Sequence, residues 1–590
     1  MCGIFGMIGN KSVGNTLQAL KYLEYRGYDS AGIATNDSNV IHIYKTAGRI
    51  ASLEKLIPCG TESNVAIGHT RWATHGAVST ANAHPFSSPN GHFAVVHNGI
   101  IENYLSLKSQ LDSDLFTSQT DSETVAHLLE RNFRGDVLST VRHTAQSLAG
   151  SFAIVVTTVY DGNLYAIKNK SPLVVGVSDS GVYLCSDIRC VSHWASKVAV
   201  TPDNTVVVAG KNGVFFYDFD GNVVDVPFFT PEKAEEMEQV DGDFMLKEIF
   251  EIPTKVREAC DGYFASGGLH LPSEVVKTLG RIYLIGCGTA YNSGLQVSAV
   301  ARKFLDIDII PVIASEFIYD DYPCDRNTLA FFISQSGETA DTIRAAEKLL
   351  AQGGVAYAVT NTSSSSLCFT CKNLTNIYAG GEFAVASTKA YNCQLVTLLL
   401  LMLDIARVRG LVPQERYKQI VAQIYSLSHA IQQILDGSYE IARVAESIKN
   451  CSAVFFIGRT TDYPTAAEGS LKLKEISYIH SEAYPAGELK HGTLALMEEG
   501  VAVVAISTDV NLADKMAASI SEVATRGAKV VSVAPYRFAN AEPLLLPEVD
   551  RFLYGIVSVV PLQLLAYYVA KRLGRDVDKP RNLAKSVTVE

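Results

Sequence analysis

The chain opens Met1-Cys2-Gly3-Ile4-Phe5-Gly6. A small residue after Met1 favours trimming of that methionine, and Cys2 then carries a thiol and a free α-amine together. An α-amine titrates near ~8, close enough to neutrality to act as a base. The reactive form of the thiol is the thiolate. One residue can therefore supply both nucleophile and base. Further polar clusters follow at intervals: Tyr25 to Gly32, with one Arg and one Asp; His69-Thr70-Arg71-Trp72-Ala73-Thr74-His75-Gly76; Val96-His97-Asn98-Gly99; and Thr120-Asp121-Ser122-Glu123. Asn98-Gly99 reads either as a hairpin corner or as an amide beside a flexible N–H that can hold an oxyanion. Asp121 reads equally well as a helix N-cap. Histidines 69, 75, 84 and 97 match no compact ligand spacing, so no metal is expected.

The second half carries a different set. Glu468, Lys472 and Glu475 fall at i, i+4 and i+7 of a run with helical character, and so share one face, which by default reads as a solvated salt-bridge stripe. The run leads to Glu488-Leu489-Lys490-His491-Gly492, and the chain closes on Asp578-Lys579-Pro580-Arg581-Asn582-Leu583-Ala584-Lys585 and a short tail too apolar to be read as disordered. Upstream, Cys287-Gly288-Thr289 and Ser334-Gln335-Ser336-Gly337-Glu338-Thr339 each follow an apolar run. Hydroxyls and free N–H groups at a helix start bind phosphate without a Lys or Arg. No P-loop pattern occurs, and Cys368-Phe369-Thr370-Cys371 has no second pair with which to hold a metal.

These clusters need rigid elements behind them. Short β-rich runs (Val65–Gly68, Phe93–Val96, Phe152–Val156, Leu164–Lys168, Val182–Cys185, Thr205–Val208) with helical stretches near Gly14–Tyr25 and Ser122–Asn132 predict a mostly antiparallel sheet layered with helices over the first 225 residues. The pattern from Ile282 recurs at Val454, 172 residues later: an apolar strand, a turn, a helix and another buried strand. Buried strands alternating with helices mean two parallel sheets, with ligands at the C-terminal strand ends. Between the halves lies an acidic stretch from about Pro227, and Phe244 to Glu251 reads as the start of a helix.

Bulk properties agree. At 590 residues there is room for about three or four domains. A net charge of −11 argues against nucleic-acid and anionic-membrane partners. Eleven scattered cysteines fit a reducing cytoplasm. The apolar runs Leu395–Leu403 and Phe552–Ala570 are too short or too interrupted to span a bilayer, and read as buried helices.

The ordered motifs of the first half resemble the N-terminal-nucleophile (Ntn) glutamine amidotransferase domain, over roughly 2–225. The resemblance implies an αββα sandwich that hydrolyses the glutamine amide. It gives Cys2 the attack, Asn98 and Gly99 the oxyanion, and Arg71 and Asp121 the substrate's α-carboxylate and α-ammonium. Thr74 and His75 join the glutamine site, and Trp72 stands as gate to an ammonia path. The second half resembles the sugar isomerase (SIS) domain, doubled, at 263–420 and 421–575, after a linker at 226–262. A SIS pair alone fits an isomerase, a deaminase or a sensor. The Leu471–Ala483 and Glu488–Gly492 stretches with the tail at 576–590 decide among these. With them, the chain resembles the family of glutamine:fructose-6-phosphate aminotransferases (isomerising) over its whole length.

That resemblance implies L-glutamine and fructose 6-phosphate as substrates, no cofactor, and a homodimer through the SIS domains. It gives His491 ring opening, Glu475 the proton transfer, Lys585 a Schiff base and Lys472 an oxyanion. Cys287, Thr289, Ser334, Gln335, Ser336 and Thr339 would cradle the phosphate, with Val385, Ser387 and Ala584 lining the sugar. Ala290 stands where the family usually has Ser, which removes one hydroxyl. Ile252 replaces the family's Gln before Pro253 in the connecting stretch.

Overall fold

A computed structural model describes residues 2–37, 40–72, 76–233 and 241–587. They fall into two units, Met1–Glu236 with Ser586–Glu590, and Met237–Lys585. Thr74 and His75 lie outside the described residues.

In the first unit, β1 (Gly3–Gly9) pairs antiparallel with β2 (Val65–Arg71) inside a seven-stranded sheet. β3 (Phe93–Ile101) pairs antiparallel with β4 (Gly150–Thr158) inside a six-stranded one. Side chains alternate along each strand. Ile4 and Ile8 enter a core shared with Ala94, Val96, Ala153 and Val155 of the other sheet. Phe5 and Met7, on the opposite face of β1, pack with Ala19 and Leu23, the latter two on α1 (Ser12–Leu23). Phe93, Val95, Phe152 and Ile154 pack with Val125 and Leu128 of α2 (Ser122–Asn132). The result is the four-layer αββα sandwich.

β3 is longer than its apolar run. Asn98 and Gly99 are inside it, opposite Ala153 and Phe152, and form no hairpin corner. Gly99 has φ +119, and a Cβ there would lie 1.9 Å from the Ser151 carbonyl oxygen. Only glycine fits that crossing.

The second unit begins with α3 (Phe244–Ala265). β5 (Arg281–Gly286), α4 (Thr289–Ala301), β6 (Thr328–Ser334), α5 (Ala340–Ala351) and α6 (Lys389–Val408) build the first module. β7 (Ala453–Gly458), α7 (Asp462–Ser477), β8 (Val501–Ile506) and α8 (Tyr554–Arg572) belong to the second. Each five-stranded sheet is parallel throughout. One face of both sheets enters a common core, in which Leu284 and Phe331 are joined by Phe456 and Val504 through Leu398 and Val557. The outer faces have separate clusters around Phe332 and Val503. α6 and α8 are apolar and long enough to cross a membrane, yet 89% and 83% of their apolar windows are buried in this core.

Candidate active site

Cys2 sits one residue before β1, and its half-buried thiol meets the end of β2. The thiol donates to the Trp72 carbonyl at 3.5 Å and accepts from the Trp72 N–H at 3.3 Å. Burial pushes the thiol up from its ordinary range, while the Trp72 N–H and the Arg71 guanidinium pull it back. Burial lowers Arg71, against the charges of Cys2, Asp29 and Asp121. Cys2, Arg71 and Asp121 thus share one electrostatic neighbourhood.

Asn98 Nδ2 donates to the Cys2 carbonyl at 3.1 Å. Its Oδ1 lies 3.1 Å from His69 Nε2, which is also 3.0 Å from the His97 carbonyl. A carbonyl only accepts, so His69 Nε2 carries the proton and Asn98 must present its oxygen to it. The amide is thereby locked with its NH2 toward Cys2. His69 is fully buried and stacks on His84 at 4.0 Å. Burial lowers it to about 3, so it is a neutral donor. Nothing in the spacing of these histidines pointed to this role.

Asp121 does not cap α2 with its side chain. Its Oδ2 accepts the Ile101 N–H at 2.8 Å, which ties α2 to the end of β3 and departs from the N-cap expectation.

In the second unit the strand ends converge. Ser334 closes β6, and its Oγ lies 3.0 Å from Thr339 Oγ1 and accepts the Gly337 N–H at 3.0 Å. The Ser336 hydroxyl accepts the Glu338 N–H at 3.1 Å. Gly337 has φ +69, and a Cβ there would meet Ser365 Oγ at 2.0 Å, so this tight hydroxyl-lined turn before α5 requires glycine. The half-buried Gln335 uses its backbone carbonyl to accept the Asn361 N–H at 3.1 Å. The Cys287 thiol faces Thr342 Oγ1 at 3.8 Å. Ala290 offers no side-chain donor.

Thr289, at the start of α4, reaches across to α7. Its Oγ1 donates to Glu468 Oε1 at 3.0 Å and accepts from Lys472 Nζ at 2.9 Å. Lys472 also lies 3.4 Å from Glu468 and 2.6 Å from Glu475, with 1% of its side chain exposed. The helical face read from the sequence is therefore a buried ion cluster, not a solvated stripe. Burial works against the Lys472 charge, but Glu475 and Glu468 win and push it up to about 12. Glu468 is pushed up by burial despite Lys472 and Asn292, the latter donating at 2.8 Å.

Lys585 ion-pairs with Glu382, a carboxylate that the sequence reading passed over in Gly380-Gly381-Glu382. Glu382 also accepts the Thr388 and Ala390 N–H groups at 2.9 and 3.1 Å. Burial opposes its charge, yet Lys585 and these donors hold it below the ordinary carboxylate value. Its charge is also felt at Lys472, so the two ion clusters adjoin. The intervening loop carries Val385, whose N–H donates to the Asp578 carbonyl at 2.9 Å, and Ser387, whose Oγ is buried with no hydrogen-bond partner among the described residues. Ala584 is half-buried beside Lys585. His491 stands apart, exposed in the short turn Glu488–His491, and makes no hydrogen bond to Lys472, Glu475 or Lys585 among the described residues.

Comparison with known proteins agrees with this division. A family model for a glutamine amidotransferase domain matches residues 69–193, and one for a SIS domain matches 277–403 and 447–571. A glutamine–fructose-6-phosphate aminotransferase (isomerizing) of Clostridium acetobutylicum is 40% identical over 100% of both chains. The protein of that name from Thermus thermophilus is also 40% identical, again over 100% of both. Among solved structures, the C-terminal domain of glucosamine-fructose-6-phosphate aminotransferase from Francisella tularensis is 35% identical, with a TM-score of 0.55, and covers 57% of this chain and 98% of that one.

Proposed function

The chain belongs to the family of glutamine–fructose-6-phosphate aminotransferases (isomerising), and we propose a division of that reaction between its two units. The enzyme transfers the amide nitrogen of L-glutamine to D-fructose 6-phosphate and isomerises the product to D-glucosamine 6-phosphate, releasing L-glutamate. The observation that carries the division is the buried Thr289–Glu468–Lys472–Glu475 cluster beside the hydroxyl-lined turn. A protein that merely sensed a sugar phosphate would need only the turn.

In the first unit, the Cys2 thiolate attacks the amide carbon of glutamine, with the α-amine of Cys2 taking the thiol proton once Met1 is removed. The developing oxyanion takes a hydrogen bond from the Asn98 amide, with the Gly99 backbone beside it. Collapse of the tetrahedral adduct expels ammonia with that proton, and water then releases glutamate from the thioester. Arg71 suits the planar α-carboxylate, and Asp121 the α-ammonium. Trp72 as gate is supported by its N–H and carbonyl both meeting the thiol.

In the second unit, the phosphate rests on the Ser334, Ser336 and Thr339 hydroxyls at the start of α5, with Thr289, Gln335 and Cys287 around it. Lys585 forms an imine at C2 of the open ketose with loss of water, and ammonia displaces the lysine amine to leave a C2 imine. Glu475 removes a proton from C1 and returns one to C2, while the C1 hydroxyl proton passes to the nitrogen as C1 becomes the aldehyde. Lys472 stabilises the oxygen that gains charge. Val385, Ser387 and Ala584 line the sugar. No cofactor is required, because the imine at C2 of the sugar accepts the electron pair.

Glutamate release measured with and without fructose 6-phosphate, alongside glucosamine 6-phosphate formation, tests the whole. Equal amounts of aminosugar and glutamate, with hydrolysis stimulated by the sugar, are expected. Glutamate without aminosugar would overturn the assignment of the second unit.

Two further expectations follow from single residues. His69→Leu frees the Asn98 amide to turn, and should lower the kcat of glutamine hydrolysis by ~10–100-fold, a fraction of the cost of deleting an oxyanion donor outright. His69→Gln, which can still donate to Asn98 Oδ1, should recover part of the loss. A rate unchanged in His69→Leu would exclude the lock. His491 is exposed in its own chain, and its ring-opening role fits a cytoplasmic homodimer in which it serves the partner's sugar. Mixing inactive Glu475→Gln and His491→Asn chains should then restore activity to a fraction of the dimers, and no recovery would place His491 in its own chain's site.

A further inference from the structure

The sequence marked α3 only as part of a connection between the halves. Its buried face reaches the sugar site. Glu248, 2% exposed, accepts the Phe383 N–H and, at 3.1 Å, the Ala384 N–H on Oε1. Its Oε2 is buried with no hydrogen-bond partner among the described residues. The loop it holds is the one that carries Glu382, Val385 and Ser387. Asp578 fastens the same region from the tail, accepting the Phe244 and Met245 N–H groups at 2.9 and 2.8 Å on its carboxylate while its carbonyl takes the Val385 N–H.

Charge matters as much as anchoring. Around α3, Glu251 is paired with Lys389 and Lys247, and Asp243 with Lys571 of α8. Asp404 of α6 pairs with Arg407, and Arg416 of helix Gln414–Asp436 with Asp550. Asp261 faces Arg257 and Tyr425. Lys255 pairs with Glu258 on α3 itself. Among the described residues, the charges that act on Glu248 are those of the Glu382–Lys585 pair: two buried carboxylates and one ammonium.

We propose that Glu248 is a positioning residue for the sugar half-reaction, which holds the Glu382–Ser387 loop in place and sets the number of negative charges that Lys585 faces. This rests on the reading of Lys585 and the loop as parts of the sugar site. Burial and the Glu382 charge push Glu248 up to about 8, against the pull of Lys585. Below that pH Glu248 is a neutral acid, and Lys585 is held by one carboxylate. Above it a second carboxylate forms, and its charge adds to that of Glu382 in the field around the ammonium. An imine at C2 requires the lysine to lose a proton and reach the carbonyl, so the added charge slows the sugar step. Two like charges so close in a dry site also oppose each other.

The test compares the full-length wild type with Glu248→Gln and Glu248→Leu, scoring glucosamine 6-phosphate formation across pH 6–10 and, separately, glutamine hydrolysis without sugar. The amide oxygen of Gln can still accept the loop N–H groups but cannot ionise. Wild-type synthesis should fall as pH rises through about 8. In Glu248→Gln that limb should move up by roughly one pH unit or more, while the hydrolysis profile of the first unit stays with the wild type. Glu248→Leu, which loses the anchor, should raise the KM for fructose 6-phosphate ~10-fold or more and leave the KM for glutamine in place. Superimposed synthesis profiles for wild type and Glu248→Gln would overturn the proposal. Lys585→Met run in parallel separates the two failures: full synthesis by that variant refutes the sugar-site reading itself, whereas its inactivity beside superimposed profiles refutes only the role of Glu248.

Discussion

Cys2→Ala should abolish glutamine-dependent synthesis, with a loss on the order of 10⁴–10⁶-fold in kcat, the scale seen when a covalent nucleophile is removed. The change deletes one sulfur whose hydrogen bonds among the described residues go to the Trp72 backbone, while β1 and β2 are held by their own strand ladder, so the register and the fold are retained. Fructose 6-phosphate should bind the variant as it binds the wild type, because every candidate for sugar contact lies in the second unit. The measurement is a pair of titrations, glutamate release and sugar binding, on one preparation. If sugar binding is lost together with hydrolysis, the division into two independent chemistries fails.

Glu475→Gln should give the converse result. Losing a positioned base costs ~10²–10⁴-fold, so aminosugar formation should fall by that range while glutamine continues to be hydrolysed. The substitution is tolerable structurally because Lys472 keeps Glu468 at 3.4 Å as its counter-charge. Removing Lys472 itself would be a poorer test. It would leave Glu468 buried without its cation, at a stability cost of about 3–5 kcal/mol. Glutamate accumulation without glucosamine 6-phosphate identifies Glu475 as the base. Synthesis at the wild-type rate rules it out.

How far these sites could be read beforehand differs from residue to residue. Cys2, Arg71 and Asn98 stand in contiguous motifs next to β-rich runs, and their order along the chain carried the resemblance that implies glutamine chemistry. The i, i+4, i+7 spacing of Glu468, Lys472 and Glu475 put them on one helical face, but spacing alone reads equally as a solvated stripe. Burial against Thr289, 179 residues from Glu468, decides that it is not. Asn98-Gly99 shows the opposite hazard. As a dipeptide it signals a turn, yet the ladder with β4 overrides the local preference and keeps both residues in a strand. Asp121 likewise has the sequence setting of a helix cap and gives its carboxylate to Ile101 instead.

Local pattern and period determined the layered antiparallel sheet and the repeated parallel module, and the ordered motifs carried the family resemblance, because strand alternation, helix faces and turn residues are properties of neighbouring positions. Tertiary structure alone decided which groups support them. His69 locks Asn98 from a different strand, Glu382 holds Lys585 across 203 positions, and Glu248 reaches the Glu382–Ser387 loop from a helix that read as a connector. Each is a single buried polar residue whose sequence neighbours do not reveal its partner. Its role comes from a partner distant in the chain, and burial is what makes that partnership obligatory: away from water, an unpaired donor or charge costs several kcal/mol.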